Sequence, residues 1–126
     1  MSRILVVDDD EGVRQILREF IEMEGHEVLE ADSAISARQA MAKAPIDLVF
    51  LDVNMPGESG ASLCRSIKDD PESKGIKVVI LTGYDSERAW RQGLGSSPDL
   101  FAVKPVNRTR IKVLLEELLP SAEGEA

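Results

Sequence analysis

Four apolar runs without polar alternation constrain this chain more than anything else in it: Ile4-Leu5-Val6-Val7, Leu48-Val49-Phe50-Leu51, Val78-Val79-Ile80-Leu81 and Phe101-Ala102-Val103. Runs of this kind suit strands buried on both faces, which is the habit of parallel sheets covered by helices. Each run ends on a polar residue. The first leads into Asp8-Asp9, the second into Asp52, the third into Thr82 and the fourth into Lys104-Pro105. In an open parallel sheet, ligands bind outside the C-terminal ends of the strands. Three carboxylates, a hydroxyl and an ammonium are therefore expected to meet at one edge.

The segments between the runs read as helices, which gives the βα alternation of an α/β domain. Val13, Ile16, Leu17, Phe20 and Ile21 form one stripe, with Arg14, Arg18, Glu19 and Glu22 outside it. Asp10 and Glu11 suit the N-terminus of that helix, and Gly25 is its stop. Val28-Leu29 reads as a short second strand, with His26 in the turn before it. Ser33 caps a helix with apolar members Ala34, Ile35, Ala37, Ala40 and Met41, ending before Pro45. A turn-rich loop, 54–60, precedes a helix over Ala61–Lys68. A short fourth helix is expected over Glu87–Leu94, cut off by Gly93, Gly95 and Pro98, with Trp90 on its outer or sheet side. Asn107 caps a fifth carrying Ile111, Val113, Leu114, Leu115, Leu118 and Leu119, ending at Pro120. The expected organisation is one domain over residues 1–120 and a flexible acidic tail over 121–126.

Composition narrows the function classes. The 126 residues carry 15 basic and 23 acidic side chains, a formal net charge of −8, and no block of Lys or Arg. Nucleic-acid affinity rests mainly on neutralising phosphates, so direct nucleic-acid binding is not expected. No apolar run approaches the roughly 20 residues that span a bilayer. The first strand begins so early that no signal peptide is expected. Cys64 is the single cysteine and sits among apolar neighbours, so a buried thiol in a reducing cytoplasm is expected.

Asp8, Asp9 and Asp52 bring three negative charges to one edge. Two such charges about 4 Å apart repel by roughly 4 kcal/mol in a surface-like dielectric. An all-oxygen donor set suits Mg²⁺, which keeps several waters and also takes phosphate oxygens. Lys104 supplies a point of positive charge, and Thr82 a hydroxyl that can donate to a phosphoryl oxygen. An aspartate can itself be the nucleophile, forming an aspartyl-phosphate.

These motifs, in this order, resemble the receiver domain of bacterial two-component response regulators over about residues 3–119. The acidic pair is Asp8-Asp9, the phosphoacceptor Asp52, the turn Met55-Pro56-Gly57 with Gly60 beyond, the switch hydroxyl Thr82, and the Lys-Pro pair Lys104-Pro105. Phe101 stands where the family places its switching aromatic. The resemblance implies a flavodoxin-like (βα)5 doubly wound parallel sheet of order 2-1-3-4-5. It also implies Mg²⁺ held by Asp9 and Asp52, by the Asn54 carbonyl and, through water, by Asp8. A sensor histidine kinase or phosphotransfer protein would donate the phosphoryl group. Thr82 and Phe101 would then rearrange the face made by the fourth helix, fifth strand and fifth helix. A homodimer through that face is common among relatives.

Asn54 and Tyr84 occupy positions that tune dephosphorylation in the family, and a bulky Tyr84 would shield the phosphoryl group from water. Ser97-Pro98 replaces the Gly-Ala common before the fifth strand, and Gly83 replaces the usual alanine or serine. Two rival classes are a constitutive receiver-like interaction module and a hydrolase of the haloacid-dehalogenase kind. The first usually loses the acceptor, an acid or the lysine, all of which are present here. The second needs a general acid two residues past the nucleophile, where this chain has Asn54. The expected protein is a phosphoacceptor regulator rather than an enzyme with a substrate of its own.

Overall fold

The computed structural model describes residues 2–53, 55, 57–82 and 98–119, Thr82 by its backbone alone. Five strands, β1 (Arg3–Val7), β2 (Glu27–Ala31), β3 (Leu48–Asp52), β4 (Lys77–Thr82) and β5 (Leu100–Val103), form one sheet of order β2-β1-β3-β4-β5. Every pairing is parallel. The described helices are α1 (Glu11–Met23), α2 (Ala34–Lys43), α3 (Gly60–Asp69) and α4 (Arg108–Leu118). The fold class expected from the apolar runs is the one observed. The expected helix over Glu87–Leu94, with Gly83, Tyr84 and Trp90, lies outside the described residues, as do Asn54, Pro56 and the 121–126 tail.

Side chains alternate across a strand, so each apolar run feeds two cores. Leu5, Val7, Val49, Leu51, Val78 and Ile80 pack with Ala34, Ala37, Leu63, Cys64 and Ile67 beneath α2 and α3. Ile4, Val6, Leu48, Phe50, Val79, Leu81 and Ala102 pack with Leu17, Ile21, Ile111, Leu114 and Leu115 beneath α1 and α4. The apolar residues of the central strands, Ile4–Val7, Leu48–Leu51 and Val78–Leu81, are wholly buried because both faces of the sheet are covered there.

Helix starts follow local chemistry. Asp10 caps α1, its side chain accepting from the Gly12 and Val13 amides at 2.8 and 3.3 Å. Ser33 caps α2 as expected, and Ser36 returns the bond to the Ser33 amide, closing a capping box. Ser59 and Asn107 cap α3 and α4. Gly25, with φ of +87°, follows the end of α1 in the left-handed region that favours glycine. Strand β2 is longer than the Val28-Leu29 core that the sequence suggests, because its register with β1 recruits Glu27, Glu30 and Ala31. Ile16 and Ile35, read as apolar members of their helices, are 50% and 70% exposed.

Candidate functional site

The strand order reverses between β1 and β3, the crevice where doubly wound sheets bind ligands. Asp8 follows β1 and Asp52 ends β3, so both stand at that crevice. Period-two alternation continues the Ile4-Val6 face to Asp8, the Leu48-Phe50 face to Asp52 and the Ala102 face to Lys104. All three therefore fall on the α1/α4 side. Asp8 and Asp52 are 1% and 5% exposed, whereas Asp9 is exposed.

Lys104 joins the two buried acids. Its Nζ donates to Asp8 Oδ2 at 2.9 Å and lies 3.2 Å from Asp52 Oδ1. The Lys104-Pro105 peptide bond after β5 is cis. The other Asp8 carboxylate oxygen accepts from the Asp10 amide at 2.9 Å. The Asp8 amide donates to the Ala31 carbonyl at 3.1 Å, and the Asp8 carbonyl accepts from Arg14 Nη1 at 2.7 Å. Each polar group of Asp8 thus has a partner, drawn from β2, α1, the β1–α1 turn and Lys104. A nearly fully buried acid requires this.

The β3–α3 connection is drawn tightly over Asp52. The Gly60 amide donates to the Val53 carbonyl at 3.1 Å, and a Cβ on Gly60 would overlap the backbone carbonyl of Asp52. Only glycine lets α3 start so close to that carbonyl. Gly57, with φ of +79°, makes the preceding turn. Farther along the loop, Glu58 accepts from Arg38 Nη2 of α2 at 2.6 Å and from Ser62 Oγ at 2.7 Å. The Arg38 hydrogen bond, followed by that of Ser62, holds the Glu58 carboxyl below its ordinary pKa of 4.5. The loop is fastened to α2 by a charge-assisted bond.

The electrostatics are unbalanced. Among the described residues, Asp8, Asp9 and Asp52 form a group whose ligand oxygens lie within 4.8 Å of one another, against the one ammonium of Lys104. Burial works to lower the Lys104 pKa. The hydrogen bond to Asp8 and the charges of Asp52 and Asp8 outweigh it, and the net shift is upward from 10.5. The lysine stays charged, and three carboxyl groups converge where one ammonium stands. Three convergent carboxylates with no nitrogen or sulfur donor fit a hard divalent cation such as Mg²⁺. Asp8, Asp9 and Asp52 would hold it, and the cation would neutralise charge on oxygens at the site.

The structure brings together Asp8, Asp9, Asp52 and Lys104, four of the residues singled out in the sequence. It places the Thr82 backbone at the end of β4, beside Val103 in the β5 register. Phe101 is half-buried, opposite Ile80, against the core beneath α2 and α3. Asn54 and Tyr84 lie outside the described residues. Arg14, which its helical position places with the outward-facing charges, reaches the acidic edge instead. A long side chain one turn into the first helix after an acidic pair was the available signal.

A family model for the response regulator receiver domain matches residues 4–116. The response regulator PleD of Caulobacter vibrioides is 36% identical over 93% of this chain and 28% of its own length. The transcriptional regulatory protein ResD of Bacillus subtilis is 33% identical over 96% of this chain and 49% of its own. The chain thus spans between about a quarter and a half of these curated relatives. The response regulator TrrA of Thermotoga maritima, solved in complex with Mg²⁺-BeF, superposes with a TM-score of 0.80 at 33% identity, covering 94% of this chain and 100% of that one. No helix among the described residues is long and apolar enough to cross a membrane. Five parallel strands in this order, an acidic crevice closed by a lysine, and these matches lead to one assignment: the chain belongs to the response regulator receiver domain family of two-component signalling.

Proposed function

We propose that this receiver domain is a phosphorylation-activated switch in which Asp52 accepts a phosphoryl group from a histidine kinase or phosphotransfer protein. One observation carries the proposal. Asp52 is buried at the end of a central strand, within reach of two further carboxylates and of an ammonium that bridges it to Asp8. In the transfer, an Asp52 carboxylate oxygen forms a bond to phosphorus as the bond to the donor's imidazole nitrogen breaks, and that nitrogen keeps the electron pair. Positioning and charge stabilisation supply most of the catalysis in such transfers. Lys104, 3.2 Å from Asp52, would donate to a phosphoryl oxygen there.

Mg²⁺ at Asp8, Asp9 and Asp52, with the Asn54 carbonyl as a further ligand, would offset the charge added at Asp52. Receiver domains use Mg²⁺ at such an acidic pocket, and the Mg²⁺-BeF complex of TrrA supports the same need here. Thr82 and Phe101 are the proposed switch pair, with the Thr82 hydroxyl drawn to the phosphoryl group and the aromatic ring turning into the freed space. Phosphorylation favours the active state only by the difference in its interactions with the two states. Partners, or a second copy of the chain, would read the face made by the 87–94 segment, β5 and α4. Asn54 and Tyr84 are proposed to tune the lifetime of the phosphoryl group. The chain acts as a phosphoacceptor, in the cytoplasm, and assists only its own phosphorylation and dephosphorylation.

The test is intact mass after incubation with acetyl phosphate, with and without Mg²⁺, for the native chain and Asp52→Asn. A single Mg²⁺-dependent phosphoryl adduct, absent from the variant, is expected. An unmodified native chain that also binds no Mg²⁺ would instead support a constitutive interaction module. Decay of the adduct after removal of the donor gives the lifetime.

A further inference from the structure

Arg14 lies outside the apolar stripe of α1, yet its side chain is only 16% exposed. It folds back beneath the acidic edge. Nη1 donates to the Asp8 carbonyl at 2.7 Å, and Nε donates to Glu30 Oε1 on β2 at 3.1 Å. Glu30 is held in turn by Arg18 Nη1 at 2.7 Å, and Arg18 Nε donates to Glu22 at 3.1 Å. The hydrogen bond from Arg18, burial acting against it, and the hydrogen bond from Arg14 leave the Glu30 carboxyl below its ordinary pKa. The guanidinium is thus aimed from one side by a fixed carboxylate and spends its other arm on a backbone carbonyl.

That carbonyl belongs to the peptide between the two adjacent acids. A peptide unit is planar, so anchoring the oxygen of Asp8 also fixes the direction in which Asp9 leaves it. Asp8 is confined by four partners of its own, whereas Asp9 is exposed. The plane that joins them is the means by which the buried acid can discipline the exposed one. We propose that Arg14 is the positioning residue of the Asp8-Asp9 pair, holding their shared peptide plane so that both carboxylates converge with Asp52 on a divalent cation. The inference rests on the Mg²⁺ reading of the site given above.

Two simpler roles predict different signs. If Arg14 acted only as a positive charge near the acids, removing it would tighten Mg²⁺ binding. If it only packed α1 against β2, removing it would lower the melting temperature and leave the affinity for Mg²⁺ as it was. Positioning predicts weaker binding by a chain that is still folded. Residues that orient metal ligands typically account for about 10–100-fold in affinity.

The experiment is calorimetric titration of the full chain with Mg²⁺ alone, for the native protein, Arg14→Gln and Arg14→Lys, with melting curves of each in the absence of metal. Arg14→Gln is expected to weaken Mg²⁺ binding by about tenfold. Arg14→Lys keeps the charge but lacks the planar fork that serves two acceptors, and is expected to weaken binding several-fold as well. Equal or tighter binding by Arg14→Gln overturns the proposal. Should that variant fail to fold, Arg14→Lys decides, and native affinity there overturns it. A native chain that binds no Mg²⁺ removes the cation reading and this inference together. Native binding with unchanged variants removes this inference alone.

Discussion

Lys68 and Lys104 serve opposite ends of the sheet, and each donates to an aspartate at under 3 Å. Lys68, near the end of α3, donates to Asp99 Oδ2 at 2.7 Å and to the Ile76 carbonyl at 2.8 Å. The same Asp99 oxygen accepts from the Val78 amide at 2.7 Å, and the Asp99 amide donates to the Val78 carbonyl at 2.8 Å. One positive and one negative charge meet there, and backbone groups complete the set. At the other end, Lys104 faces Asp8 and Asp52 at 2.9 and 3.2 Å, with Asp9 joining the same cluster. One ammonium is set against three carboxyl groups. A balanced pair stabilises what it joins, whereas an unbalanced one keeps a standing demand for cations. The proposed phosphoryl chemistry lies at the end where the charges do not cancel.

Removing each lysine in turn breaks the comparison most directly. Lys104→Met is expected to slow phosphorylation by acetyl phosphate by about 10²-fold, the scale of losing one preorganised donor to a transition state. Rates near native would mean that Lys104 only holds the two buried acids together. Lys68→Met should do the reverse. It leaves the phosphorylation rate within a small factor of native and lowers unfolding free energy by about 1–3 kcal/mol, because a mostly buried carboxylate loses a charged partner. Denaturant titration reads that loss, and unchanged stability would show that the Val78 amide alone suffices for Asp99.

The smallest expected effect lies in alkali. The folded pKa of Lys104 is above its ordinary 10.5. Its pairing therefore contributes stability that is whole below pH 10.5 and is lost as pH rises through the raised value. Denaturation midpoints followed upward from pH 10 should fall more steeply for the native chain than for Lys104→Met. Parallel curves would show that the pairing adds no net stability.

The acidic end was largely legible in the sequence, and the balanced end was not. Asp8, Asp52 and Lys104 each follow an unbroken apolar run, and buried parallel strands put such residues at one edge by geometry alone. Asp99 has no comparable signature. Its partner Lys68 is 31 positions away and reads as an ordinary charge in the last turn of a helix. Arg14 was hidden for a related reason. Helical periodicity reports where a Cα faces, and a guanidinium can carry its donors back across that boundary to a carbonyl six positions earlier. Strand β2 was under-read because Glu27 and Glu30 look like loop residues until β1 supplies the ladder they join. Ser36 escaped notice since capping boxes usually place Glu or Gln at that position. At Asp99 and at β2 a local pattern was overridden by a partner distant in sequence.

The exchange of hydrogen bonds between Asp99 and Val78 has a mechanical consequence. It clamps the start of β5 to β4, so β5 resembles a beam fixed at one end and loaded at the other, where Lys104 grips the acids. A tug at Lys104 cannot be relieved by sliding the whole strand, since sliding would tear that clamp open. Such a tug would be taken up instead as bending of Leu100–Val103, where Phe101 sits. The stiffness of the quiet end is what gives the loaded end leverage.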